Sequence, residues 1–321
     1  VEDTLGRSIN YLRISVTDLC NMRCRYCMPE EGIRKKEQNE ILSLEEIFQV
    51  VKAASELGVN KVRITGGEPL VRKDLLKLIE NIASLDAVKD LALTTNGTML
   101  KKYARDLKEA GLKRVNVSLD TLDEGKYREI TRGGHLSNVL EGLEEVKRVG
   151  LLPLKINVVL IGGFNDSEIR EFVQWTAEEP IDVRFIELMP IGQAAGWAKT
   201  NFISNNTVKD RIPELMPIYT GDKSSPAKYY RLPNGKGKVG LINPISSHFC
   251  KYCNRMRLTA DGRLKPCLHS NEEIDVKLAL RNGVRDLKQL MEQAILEKPA
   301  QHTLNDQDNK PIYRDMFRIG G

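Results

Sequence analysis

The six cysteines of this chain fall into two groups of three, and none lies outside them. Cys20, Cys24 and Cys27 are spaced C-x3-C-x2-C; Cys250 and Cys253 are two residues apart, and Cys267 follows after thirteen more. Cysteines serving only as small core residues would not cluster in this way. The first spacing lets one loop wrap a small inorganic core. Iron–sulfur clusters are ordinarily held by four thiolates, so three leave one iron open to an outside ligand. Zinc fits the first triplet poorly because no fourth ligand lies nearby. For the second triplet, spacing alone leaves structural zinc, with His269 or His248 as fourth ligand, as open as a cluster. The start of the sequence has no signal-peptide pattern and no apolar run has membrane-spanning length, so a reducing, cytoplasmic setting is expected, with cysteines as thiols or metal ligands.

Between and around the triplets, β-branched apolar runs alternate with helical patterns. Strands are predicted at 11–16, 61–65, 90–94, 114–119, 154–160 and 183–188, and helices at 43–57, 73–83, 100–110, 136–149 and 166–178. Ser43 and Glu46 form a capping-box pattern, and Gly58 is a plausible helix stop. This alternation implies a parallel sheet. Its predicted strand tips carry the first cysteine loop, Gly66-Gly67-Glu68-Pro69, Thr95-Asn96-Gly97, Ser118-Leu119-Asp120 and Glu187-Leu188-Met189-Pro190, the arrangement of a barrel with its active site on one face. The fold class expected is α/β: an incomplete (β/α)6 TIM-type barrel over residues 1–222, with a C-terminal iron–sulfur region, 223–321, covering its open side. Beyond residue 200, prolines and glycines break the alternation, and one further helical pattern appears near 286–296.

A net charge of +5 suits a small anionic ligand better than a nucleic acid. Arg34-Lys35-Lys36 reads as a solvated loop. Cys253, Arg255 and Arg257 alternate, so in an extended segment they share one face, with Met256 and Leu258 toward the core. Two guanidinium groups beside a cysteine ligand suit phosphate oxygens. The chain has no G-x4-G-K-[ST] loop, so a nucleotide would be held by side chains. Few aromatics are available for base stacking, which argues against an RNA substrate.

The first triplet with Tyr26 before its last cysteine, followed by Gly66-Gly67-Glu68-Pro69, resembles the radical S-adenosylmethionine superfamily. Asp18-Leu19-Cys20-Asn21, the stretch from Phe249-Cys250 through Cys253-Asn254-Arg255-Met256-Arg257-Leu258, Asp261-Gly262, Pro266-Cys267-Leu268 and the closing Gly320-Gly321 resemble the GTP cyclase family of molybdenum cofactor biosynthesis. The resemblance spans nearly the whole chain. It implies two [4Fe–4S] clusters, one on Cys20, Cys24 and Cys27 and one on Cys250, Cys253 and Cys267. It implies S-adenosylmethionine contacts at Tyr26, Gly67, Ser118 and Met189, and GTP contacts at Arg13, Arg63, Thr94, Lys155, Arg255, Met256 and Arg257. The Gly320-Gly321 tail is implied to reach the active site. The implied reaction is a lyase-type cyclisation of GTP to 3′,8-cyclo-7,8-dihydro-GTP, with an electron donor as partner, a cyclic pyranopterin monophosphate synthase downstream, no nucleic acid or membrane partner, and a monomeric or homodimeric chain.

Overall fold

A computed structural model describes residues 1–283, 286–304 and 311–320. Six strands run parallel and side by side in chain order: β1 (Tyr11–Ser15), β2 (Lys61–Thr65), β3 (Asp90–Thr95), β4 (Arg114–Ser118), β5 (Leu154–Leu160) and β6 (Asp182–Glu187). Among the described residues six more strands follow: β7 (Met216–Ile218), β8 (Ala227–Arg231), β9 (Lys238–Ile242), β10 (Arg255–Leu258), β11 (Arg263–Lys265) and β12 (Ile274–Asp275). The helices are α1 (Leu44–Glu56), α2 (Leu75–Ala83), α3 (Leu100–Glu109), α4 (Glu124–Thr131), α5 (Leu136–Arg148), α6 (Ile169–Glu178), α7 (Ala195–Thr200), α8 (Asn206–Arg211), α9 (Val276–Asn282), α10 (Leu287–Leu296) and α11 (Met316–Ile319).

The helix entries follow local chemistry. Ser43 caps α1, accepting from the Glu46 amide while Glu46 returns a carboxylate to the Ser43 amide. The helix stops before Gly58, whose φ of 93° a glycine adopts freely. Helix α4 escapes the sequence reading: it is short and mostly polar, and Asp123 caps it through the Lys126 amide.

The partial barrel is larger than six units. β9 pairs parallel with β6 at one edge and β10 pairs parallel with β1 at the other, so eight parallel strands stand in a row among the described residues. Antiparallel pairs extend both ends, β8–β7 beyond β9 and β11–β12 beyond β10. A division at 222/223 falls between β7 and β8, which are partners in a hairpin.

Only residues 243–254 connect β9 to β10. The sheet curls as a partial barrel, and this link, with a 3-10 turn at Cys250–Tyr252, crosses its open side between the two outer strands.

The curl gives two unlike faces. Leu12, Ile14, Ile64, Leu93, Val115, Val117, Ile156, Val183, Met256 and Leu258 point outward to the helices and form the buried apolar core. The alternate residues point inward and are polar: Arg13, Arg63, Thr94, Asn116, Lys155, Arg184 and Arg257. A barrel interior is usually filled with branched apolar side chains; a polar one is a chamber. Asn205, fully buried, ties the β6 and β9 ends together by donating to the carbonyls of Phe185 (3.0 Å) and Ile242 (2.9 Å). We expect Asn205→Leu to lower the urea midpoint by the equivalent of roughly 1–3 kcal/mol, since two buried carbonyls lose their donor; an unchanged midpoint would deny that tie.

Candidate active site

The first cysteine loop leaves β1 and is pinned on two sides. The Arg23 and Arg25 amides donate to Thr131 and Ile130 carbonyls at the end of α4 (3.1 and 3.0 Å). The Gly67 and Glu68 amides donate to Thr17 and Leu19 carbonyls (2.7 and 2.8 Å). A Cβ on Gly66 would lie 2.7 Å from the Thr17 carbonyl oxygen, and one on Gly67 would lie 2.6 Å from that of Asp18 and closer still to that of Leu19. The two glycines thus answer to the backbone of the cysteine loop itself. Pro69 opens a 3-10 turn, Pro69–Val71, so the turn reading of this motif holds beside the functional one. Glu68, fully buried, faces the β3 tip, accepting from Thr95 Oγ1 (2.8 Å) and the Asn96 amide (2.7 Å). Burial pushes its carboxyl up to about 7 against those hydrogen bonds.

All six cysteines are free thiols. Burial pushes Cys27 up to about 12 and Cys24 well above its ordinary value, and the neighbouring cysteines add to both shifts. Three thiols crowded in a dry loop ionise only if a cationic core takes their charge, so the donor set fits a metal cluster. Cys20 Sγ accepts from the Met22 amide (3.4 Å) and Asn96 Nδ2 (3.9 Å), hydrogen bonds of the kind that orient and tune a ligating sulfur. The Tyr26 phenol donates to Asp120 Oδ2 at 2.6 Å, which commits it to the protein. Ser118 ends β4. A cleft of about 280 Å³ meets this triplet at Cys27 and is walled by Arg25, Arg132, Trp197 and Asp315.

The second triplet lies on the crossing link and after β11. It lines a cavity of about 70 Å³ together with Arg255, Arg257, His248, His269, His302 and Lys298. Among the described residues no three His, Cys, Asp or Glu side chains are grouped to hold a single metal ion. His302 Nε2 contacts the Pro244 carbonyl (2.7 Å) and its Nδ1 accepts from the Leu304 amide (3.3 Å), so neither ring nitrogen is left to serve as a ligand. His269 Nε2 lies 3.2 Å from Met189 Sδ, so this ring links the second cavity to the β6 tip near the first site. Burial pushes the Cys253 thiol up, but Lys298 and Arg255 outweigh it and hold it below its ordinary value.

Between the triplets lies the chamber floor. The register sets Arg257, Arg13 and Arg63 in one row across β10, β1 and β2. Like charges on adjacent strands destabilise a sheet unless an anion is shared. Burial, then Arg257, pulls the Arg13 guanidinium well below its ordinary value; burial draws Arg63 and Arg257 each down to about 10. Arg63 and Arg255 both stack on the Tyr11 ring, each 5.6 Å from its centroid. Arg255 also donates to the Ser224 carbonyl at 2.7 Å. Arg257 Nη1 donates to the Gly320 carbonyl at 2.5 Å and Arg13 Nη2 at 3.4 Å, so residue 320 does reach the chamber; Gly321 lies outside the described residues. Thr94 Oγ1 accepts from Asn116 at 3.5 Å. Lys155 finds its anion on the neighbouring strand, Asp182 at 3.4 Å; Glu187, bound to the Ile245 and Ser246 amides, and Asp120 are taken.

Two expectations need correction and two residues are additions. Met256 is 0% exposed and packs in the outer core, so its side chain offers the chamber nothing. Lys36 is no solvated loop charge: it pairs with Asp18 at 2.6 Å and Asp261 at 3.5 Å. Arg184 and Tyr11 escaped the sequence reading, although inward alternation along β6 and β1 would have flagged both. Arg184 Nε and Nη2 and Arg63 Nε are buried without a hydrogen-bond partner. Orphaned guanidinium nitrogens in a dry chamber call for an anionic guest.

Fold and geometry together define a radical S-adenosylmethionine enzyme: the Radical SAM superfamily profile matches residues 14–176 and the Molybdenum Cofactor Synthesis C profile matches residues 181–304. The Streptococcus suis SuiB structure bound to S-adenosylmethionine shares the fold, with a TM-score of 0.62 at 16% identity over 97% of this chain and 77% of that one. Curated relatives are far nearer. The GTP 3′,8-cyclase of Alkaliphilus oremlandii is 59% identical and that of Alkaliphilus metalliredigens 57%, each over 100% of both chains; that of Clostridium botulinum strain Langeland is 48% identical over 99% of both. The chain belongs to the GTP 3′,8-cyclase family.

Gly67→Ala should displace the cysteine loop and lower iron on the first triplet, read as loss of its absorbance in the reconstituted protein; full loading would contradict the close approach. Burial, then Arg184, draws Lys155 down to about 8. Its charge is present below that pH and lost above it, so triphosphate affinity should fall by up to about tenfold per pH unit above 8. Titration calorimetry should show that slope flattened in Lys155→Arg, and an equal slope would argue against Lys155.

Proposed function

We propose that this chain performs the radical S-adenosylmethionine-dependent cyclisation of GTP to (8S)-3′,8-cyclo-7,8-dihydroguanosine 5′-triphosphate, an early step of molybdenum cofactor biosynthesis. The observation that carries the reading is the cationic chamber floor between two cysteine triplets. When bound, the first [4Fe–4S] cluster and S-adenosylmethionine would supply the radical for taking hydrogen from C3′, and closure of the C3′–C8 bond would be completed by one electron from an outside donor and one proton.

The protein's own part is placement. Cys20, Cys24 and Cys27 hold the first cluster, with Gly67, Ser118, Met189 and the main chain at Tyr26 around S-adenosylmethionine. Cys250, Cys253 and Cys267 would hold the second cluster, whose open iron would offer the base an anchor. Arg13, Arg63, Lys155, Arg184 and Arg257 take the triphosphate oxygens, with Thr94 beside them. Arg255, set between Tyr11 and Phe249, stands where base and phosphates meet. Fixing both ends of the nucleotide holds C3′ and C8 close, which turns bond formation into an orientation problem already solved. The Gly320 carbonyl, held by Arg257 and Arg13, covers this floor and helps exclude water. A cytoplasmic enzyme, monomeric or homodimeric, whose product passes to a cyclic pyranopterin monophosphate synthase, agrees with this reading.

Anaerobic incubation with GTP, S-adenosylmethionine and dithionite should yield the cyclised nucleotide and 5′-deoxyadenosine. Arg184→Ala and Arg257→Ala should each weaken GTP binding by about 10- to 150-fold, roughly 1.5–3 kcal/mol, while Cys24→Ala abolishes 5′-deoxyadenosine. Wild-type protein that leaves GTP unconsumed, or GTP affinity unmoved in both arginine variants, would overturn the assignment.

A further inference from the structure

The second triplet draws its cysteines from two separate stretches, the crossing link and the segment after β11; only Cys250 lies in a 3-10 turn, and Cys253 and Cys267 lie outside any helix or strand. Something must hold them together. The described residues place two buried cations at that junction, and both donate to main-chain carbonyls there.

Arg7 lies near the start of the chain, in a short bridge between Glu2 and Ser8, yet it is only 6% exposed. Its Nε donates to Asp3 Oδ2 at 2.5 Å, which fixes the plane of the guanidinium. Nη1 donates to the Cys250 carbonyl at 3.0 Å and the Ala300 carbonyl at 3.2 Å. Nη2 donates to the Lys298 carbonyl at 3.2 Å and the Pro299 carbonyl at 2.8 Å. All five N–H groups are thus used, four of them to join a cysteine of the triplet to the 298–300 segment. Lys298 continues the join: its Nζ donates to the Arg255 carbonyl at 2.7 Å and the Pro266 carbonyl at 2.6 Å. Those carbonyls lie two residues beyond Cys253 and one before Cys267. Lys298 has no carboxylate partner among the described residues, and it lines the cysteine cavity. A buried ammonium without a carboxylate is costly unless another negative charge stands near; three thiolates on a cluster provide it.

We propose that Arg7 and Lys298 form a clasp that gathers Cys250, Cys253 and Cys267 into one preformed site, which makes the first ten residues a working part of the second cluster's cradle. Both are positioning residues: neither is placed against S-adenosylmethionine or the nucleotide. Arginine is required at position 7 because only a planar five-donor group can bridge one carboxylate and four carbonyls. The inference rests on the two-cluster reading above.

The test measures iron and electron paramagnetic resonance in anaerobically reconstituted wild type, Arg7→Gln and Lys298→Met. Wild type should hold about eight irons per chain and each variant about four. The variants should keep the first cluster's S-adenosylmethionine-responsive signal, still form 5′-deoxyadenosine with dithionite, and lose the GTP-responsive signal of the second cluster. The surviving first-cluster signal reports that the barrel has folded. Variants that retain both clusters and wild-type GTP affinity would overturn the clasp, as would loss of both clusters together, which would mark the two cations as general supports. A wild-type chain with a single cluster would instead sink the two-cluster reading itself.

Discussion

The twelve residues between β9 and β10 join the two outer strands of a parallel array, and most of the molecule follows from that tether. The link spans the open side of a curled sheet, and the curl gives every strand one face toward the helices and one toward an enclosed space. The tether also carries Cys250 and Cys253 across the mouth, opposite the loop that carries Cys20, Cys24 and Cys27. Two cysteine-bearing segments more than 200 residues apart in sequence are thereby set facing one chamber, without a separate domain to orient the second.

Part of the chamber's charge is unrelieved among the described residues. Arg114 is matched by Asp90 and Lys155 by Asp182, while Arg63 stacks on the Tyr11 ring, Arg257 donates to the Gly320 carbonyl, and Arg184 Nε and Nη2 are buried without a hydrogen-bond partner. Carbonyls satisfy donors without cancelling charge. The floor therefore tolerates these cations while keeping them ready for a polyanion, whose arrival would replace weak partners by strong ones. The outer core, built from fully buried Leu, Ile and Val on both sides of the helix–sheet contact, supplies the stability that such a floor withdraws.

How much of this could be read from sequence depended on whether the signal was local. The Ser43–Glu46 cap and the alternation of Arg255 and Arg257 are short-range patterns, and both appear as read. β9 and β10 are five and four residues long, and Gly240 interrupts the first; nothing in such pieces announces that they pair with β6 and β1. Arg184 is hidden for a related reason: a strand predicted at 183–188 does not by itself say which face each residue takes. Lys155 found Asp182 through register, a relation between strands that no single segment contains. Lys36 likewise belongs to an ion-pair network with Asp18, Asp261 and Arg314 that only the folded chain assembles.

The division of the chain between two family profiles near residue 180 has no counterpart in the sheet. Cut there, the first piece would present β1 and β5 as bare parallel edges, and the second would carry two separate groups, β6–β9–β8–β7 and β10–β11–β12, joined only by the 243–254 link. Exposed parallel edges invite pairing with any passing strand. The halves are therefore poor candidates for shuffling among other genes, and they are expected to be inherited together, changing in step along the seams where their strands meet.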